Sequence, residues 1–115
     1  MNRNSISHLI LEREQELKAV KAKLENFVLI RDKIVEEDIT GFDLIKLSRS
    51  NDFPNIIIKG IDLEKIGDSK IKEDITEDGQ KLINRLKELI NMYQGSAFYL
   101  EDKISQLSNY LNTNR

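Results

Sequence analysis

Two arginines stand where the sequence otherwise places apolar side chains. Arg13 and Arg31 interrupt a ladder with alternating spacings of four and three, whose other members are Ile6, Ile10, Leu17, Val20, Leu24, Phe27 and Ile34. An arginine on such a ladder can lie at its edge, pair with a carboxylate, or fix the register between helices. Its planar guanidinium can instead hold an anionic ligand such as a phosphate or a carboxylate. Both interpretations stand for Arg13 and Arg31.

Other candidate binding residues lie in the central segment and near the C-terminus. Arg49 and Lys59 could contribute to the same kind of anion site, whereas Asn51 and Asp52 would suit a contact with a protein partner. Tyr99 lies off the second apolar ladder beside Phe98, and an exposed tyrosine is a favourable anchor for a partner. The alternative for Tyr99 is burial in the core, since aromatic side chains at helical spacing usually pack there.

Catalytic and metal-binding patterns are not recognisable in the sequence. His8 is the only histidine and there is no cysteine, so a metal site would have only His8, Glu12 and scattered carboxylates as ligands. The acidic runs fall at predicted helix ends, where solvated carboxylates are ordinary. No phosphate-binding glycine loop or nucleophile elbow is present. We therefore expect no enzymatic activity, no metal and no cofactor.

Apolar periodicity predicts two long helices. The first should run from a cap at Asn4 or Ser5 to about Glu37. The second ladder predicts a helical region over about 75–112, with Asp74 and Glu77 as a capping box; it comprises Leu82, Leu86, Leu89, Tyr93, Ala97, Leu100, Ile104, Leu107 and Leu111. The spacing changes near Gly95, which leaves one continuous helix or two; the absence of helix-breaking residues around it favours continuity.

The segment between the helices, about 40–72, loses this period and predicts a small β element. Asn55–Ile61 contains three consecutive isoleucines and is the clearest strand. Leu44–Ser48 is its simplest partner strand, although Thr40 and Asp43 could instead cap a short helix there. Leu63–Lys72 then forms a charged connector.

The fold class expected is mainly α with a minor β part, in one domain of 115 residues. Two long antiparallel helices would form a coiled-coil-like hairpin joined by the two-stranded β element. This helix–hairpin–helix layout resembles a prefoldin-type chaperone subunit. The resemblance implies a chaperone or adaptor function.

Composition and charge limit the class of partner. The chain is 39% hydrophobic and 33% charged, which is typical of helix-rich proteins. Lysine and arginine outnumber acidic residues by seven to five in residues 1–35 and by five to three in 80–115, whereas residues 36–79 carry six against twelve. The acidic middle disfavours nucleic acid. Without a signal peptide or a long apolar run, we expect no membrane association and a cytoplasmic location.

The leading functional hypothesis is a non-enzymatic, self-associating helical protein that binds and occludes a protein partner. Small phage or mobile-element inhibitors of host systems act in this way. The alternatives are an oligomeric protein that sequesters a small anionic or nucleotide-like ligand between subunits, and the prefoldin-like adaptor.

Overall fold

The computed structural model describes residues 2–74 and 76–113. Four α-helices follow one another in these residues: α1 (Arg3–Glu36), α2 (Gly41–Leu47), α3 (Leu63–Ile66) and α4 (Glu77–Thr113). Two single turns of 3-10 helix lie at Asn55–Ile57 and Ile71–Glu73. The mainly helical prediction is confirmed, and α1 and α4 pack against each other. No helix in the described residues is long and apolar enough to cross a membrane.

The chain divides into two compact units. The helix-pair unit comprises, of the described residues, 2–24, which include the first part of α1, and 92–113 of α4. The central unit comprises residues 25–91. The prediction of a single domain stays a prediction.

Helix α1 begins two to three residues earlier than expected from the sequence. The Asn2 side chain accepts a hydrogen bond from the Ser5 backbone N–H at 2.8 Å, so Asn2, and not Asn4 or Ser5, provides the cap. The helix ends at Glu36, and Asp38 follows in a left-handed conformation with φ of 56°. Aspartate tolerates this conformation better than most residues, which makes Asp38 a natural stop.

The predicted strand at Leu44–Ser48 is wrong, and the short-helix alternative is confirmed. Thr40 and Asp43 form a reciprocal capping box, in which each side chain accepts the other residue's backbone N–H. This arrangement satisfies two N–H groups that a helix start leaves unpaired. Helix α2 packs against α3, and Gly41 lies in the contact.

The predicted strand at Asn55–Ile61 is also wrong, and the described residues contain no two-stranded element. Pro54 and Asn55 begin a 3-10 turn that buries Ile57 and leaves Ile56 exposed. The Arg85 guanidinium donates to the backbone carbonyls of Ile56, Ile57 and Lys59, so a side chain occupies the acceptors that a neighbouring strand would use. The one β-type contact in the described residues is an isolated antiparallel bridge between Thr40 and Lys70.

The charged connector is more ordered than the sequence indicated. Asp62 caps α3 by accepting the Glu64 N–H at 3.1 Å, and Leu63, Ile66 and Ile71 are buried. These side chains belong to the core of the central unit, with Phe27, Ile34, Leu44, Ile57, Leu82 and Leu86. The core therefore includes residues from the segment that the sequence indicated only as a charged connector.

Helix α4 is continuous through Gly95, as the residues around it favoured. The helix starts at Glu77, and the Thr76 hydroxyl accepts the Gly79 N–H at 3.3 Å. Asp74 instead accepts the Thr76 N–H at 2.7 Å, so the expected capping role belongs to Thr76. Ile75, where the helical region was expected to begin, lies outside the described residues.

Asp38 and Asp43 make the central unit acid-sensitive. A hydrogen bond from the Lys72 ammonium, together with the charges of Lys72 and Lys70, lowers the pKa of Asp38. The Thr40 backbone N–H does the same for the pKa of Asp43. A carboxylate whose pKa is lower in the folded state contributes stability above its unfolded pKa, near 3.9, and loses it as pH falls through the folded pKa.

We expect the Asp38→Asn variant to be less stable than the parent chain at pH 7, with the difference shrinking below about pH 4. Asparagine also tolerates a left-handed backbone, so the substitution isolates the charge. Urea unfolding at pH 7 and pH 3 measures the difference. A gap of equal size at both pH values would contradict this account of Asp38.

Candidate functional site

An open groove lies between the two helices of the helix-pair unit. Its volume is about 730 Å³, and its lining consists of Glu16, Ala19 and Val20 from α1 with Met92, Gly95, Ser96, Tyr99 and Leu100 from α4. The helices run antiparallel here, since Arg3 donates to the Leu111 carbonyl at 3.1 Å and Lys21 pairs with Glu101 at 3.1 Å. The groove is therefore a furrow bounded by two regular helices.

Small residues form the floor of this groove. A Cβ atom added to Gly95 would meet no other atom within 4 Å, so nothing in the chain itself requires glycine there. Glycine inside a helix costs about 1 kcal/mol relative to alanine. Ala19 and Ser96 add little bulk on either side. The floor can accept a large side chain or a closely approaching helix.

The α4 rim of the groove is apolar and exposed. Met92 is 56% exposed and Tyr99 is 61% exposed, although both line the groove. The Lys103 ammonium lies 5.6 Å from the centre of the Tyr99 ring, which is within range of a cation–π interaction. This rim presents apolar surface to solvent, and the positive charge of Lys103 lies at one end of it.

The helix-pair unit buries few side chains. Of the sixteen buried apolar side chains in the described residues, the unit holds Ile6, Ala97 and Leu100, and the central unit holds the other thirteen. The ladder positions Leu17, Val20, Leu24, Ile104, Leu107 and Leu111 are only half-buried. Two helices cannot cover all of the seam that their ladders create, so this unit retains an uncovered apolar face.

Among the predicted candidates, Arg13 contacts the groove only indirectly, through Glu16, which lines it. Its guanidinium bonds the Glu16 carboxylate at 2.7 Å, one turn further along α1, and Arg13 lies at the edge of the helix contact. Arg31 is exposed and contacts Asp32 at 3.3 Å. Arg13 belongs to the helix-pair unit and Arg31 to the central unit.

The remaining candidates are divided between the two units. Tyr99 lines the groove, and both Tyr99 and the neighbouring Phe98 are exposed, so Tyr99 is not part of the core. Arg49, Asn51 and Asp52 are exposed in the turn after α2. Asp52 also borders a pocket of about 140 Å³ in the central unit, whose apolar lining includes Leu29, Ile30, Leu47 and Phe53.

Lys59 acts through its backbone, whose carbonyl accepts a hydrogen bond from Arg85. No local sequence pattern distinguishes Arg85 from the other basic residues. Its three carbonyl acceptors lie 26 to 29 residues earlier, and only the folded chain brings them together. His8 contacts Glu12 at 3.1 Å, and no group of three His, Cys, Asp or Glu side chains in residues 2–74 and 76–113 could hold a metal ion.

The groove residues Ala19, Met92, Gly95 and Ser96 were not among the sequence candidates. One signal was available, since the change of spacing near Gly95 marks the place where small residues replace ladder residues. No protein-family model, curated protein or solved structure matches this chain.

Proposed function

We propose that this chain is a non-enzymatic helical protein that self-associates through the groove of its helix-pair unit and, once assembled, binds and occludes a protein partner. The observation that carries the proposal is the uncovered apolar face of that unit. A two-helix unit with three buried apolar side chains is weakly stabilised by itself. Covering Met92 and Tyr99 in an assembly would remove apolar surface from water at about 25 cal/mol per Å².

The partner surface in this proposal is the exposed turn that holds Asn51 and Asp52. The turn is exposed and presents the Arg49 guanidinium beside the Asn51 amide and the Asp52 carboxylate, which can form polar contacts with a protein partner.

The anion-sequestering alternative is less favoured, because Arg13 and Arg31 already contact the carboxylates of Glu16 and Asp32. The prefoldin-like adaptor alternative is also less favoured. Its resemblance depended on a β-hairpin between the long helices, and the described residues contain no such hairpin.

Tyr99 and Phe98 provide a matched pair of variants. Both are exposed aromatic residues on α4, at 61% and 70%, but Tyr99 lines the groove and Phe98 does not. We expect Tyr99→Ser to weaken self-association about tenfold or more, as removal of a central aromatic anchor does. Phe98→Ser should leave the association constant within about threefold of the parent value. Sedimentation velocity over a concentration series measures both.

Circular dichroism of the two variants provides the control for folding. Equal losses of association in Tyr99→Ser and Phe98→Ser, with helical content unchanged, would argue against the groove as the contact surface. An effect confined to Phe98→Ser would place the contact on the other side of α4.

A further inference from the structure

The charges along the groove have a self-complementary order, and this inference rests on the proposed self-association. On the α1 side of the groove, Glu16 is followed by Ala19 and then by Lys23, at spacings of three and four residues. Residues spaced in this way lie on one helix face. Glu16 and Ala19 line the groove, and Lys23, seven residues after Glu16, is exposed on the same face. This face of α1 therefore has an acidic residue at one end, a small residue at its centre and a basic residue at the other end.

We propose that the groove is covered by a second copy of this chain, related by a two-fold axis. The axis lies in the plane of contact, perpendicular to the helices, and passes over α1 between Ala19 and Val20. Such an axis places α1 against α1 and α4 against α4, with the copies antiparallel. Glu16 of each copy then lies opposite Lys23 of the other, since the two positions are equally distant from the axis. The dimer contains this ion pair twice.

The same axis gives Gly95 and Tyr99 a function. The groove brings Ala19 and Val20 together with the stretch of α4 around Ala97, so the axis crosses α4 near Ala97. Tyr99 of one copy then lies over Ser96 and Gly95 of the other, where the chain itself has no atom within 4 Å of a glycine Cβ position. An exposed ring and an open floor are thereby matched in shape, twice in the dimer.

Arg13 supports this arrangement by holding Glu16. The Arg13 guanidinium bonds Glu16 at 2.7 Å, which limits the rotamers of the carboxylate before a second copy arrives. Arg13 is therefore a positioning residue at the edge of the interface. A parallel dimer, with its axis along the helices, would instead bring Glu16 and Lys23 near the α4 of the second copy, and would not place them opposite each other.

A charge swap tests the arrangement on the full chain. Glu16→Lys alone and Lys23→Glu alone each place like charges opposite one another at two points, and each should weaken dimerisation about tenfold at low ionic strength. The double variant Glu16→Lys/Lys23→Glu restores both pairs, and its dissociation constant should return to within about threefold of the parent value. Sedimentation equilibrium measures the constants, and circular dichroism verifies that each variant remains helical.

Glu14 and Lys18 provide the matched control. They carry the same charges on the exposed side of α1 away from the groove, and reversing either should not change dimerisation. A parent chain that is monomeric would overturn the proposed function and this inference together. A parent chain that dimerises, with a double variant as weak as the single ones, would overturn the antiparallel two-fold arrangement and leave self-association standing.

Discussion

Gly95→Arg should abolish dimerisation at concentrations where the parent chain is a dimer, raising the dissociation constant about 100-fold or more. The arginine side chain would fill the floor of the groove and place a charge where the ring of Tyr99 from a second copy should lie. The substitution should not unfold α4, because the Gly95 position has no neighbouring atom within 4 Å and arginine is a good helix former. Size-exclusion chromatography with light scattering measures the change.

Gln94→Arg is the matched control for Gly95→Arg. Gln94 is exposed on α4 and does not line the groove, so the same side chain enters the same helix one position away. We expect Gln94→Arg to dimerise like the parent chain. Loss of the dimer in both variants would mean that added positive charge, and not occupation of the groove, is responsible.

Gly41→Ala should destabilise the central unit by about 3 kcal/mol. The added Cβ would lie 2.5 Å from the Leu63 carbonyl oxygen, 2.8 Å from the Gly67 nitrogen and 2.8 Å from the Ile66 Cβ. Two of these neighbours are backbone atoms of α3 and its cap, so they cannot move aside as a flexible side chain would. The contact between α2 and α3 must open instead. Denaturant unfolding followed by circular dichroism measures the loss.

Gly95→Ala is the control for that substitution. The chemical change is the same, but the new Cβ would meet no other atom, and alanine is the better helix former. We expect Gly95→Ala to stabilise the chain by about 0.5–1 kcal/mol. Destabilisation of similar size in both variants would contradict the steric explanation for Gly41.

The two long helices could be predicted because their apolar ladders extend over many turns. Local sequence was enough here, since an apolar repeat of about 3.5 residues sustained over many turns is the strongest sequence signal for a helix. The ends were less predictable. Asn2 and Thr76 provide caps where neighbouring residues were equally suitable by type.

The middle of the chain could not be predicted because distant residues decide its conformation. Asn55–Ile61 has the composition of a strand, but Arg85 donates to three of its carbonyls. Leu44 lies in a helix because Thr40 and Asp43 cap that helix. The local sequence indicated both this helix and a strand, and did not distinguish between them. Contacts between elements override the β preference of isoleucine here.

The candidate site was predictable only in part. Tyr99 was named as a possible partner anchor, but its type and spacing fitted the core equally well, and Arg13 was recognisable as an exception on the ladder. The groove between α1 and α4 depends on which flank of each helix stays uncovered in the fold. The spacing of apolar residues does not provide that information. The glycine that opens the floor was visible only as a change of spacing.

Sedimentation equilibrium of the unmodified chain tests the central claim most directly. If the uncovered face of the helix-pair unit is completed by a second copy, the molar mass should approach twice 13.4 kDa as concentration rises to tens of micromolar. The fraction of dimer should fall on dilution, and the thermal midpoint should fall with it. A molar mass of 13.4 kDa throughout the series would contradict the account.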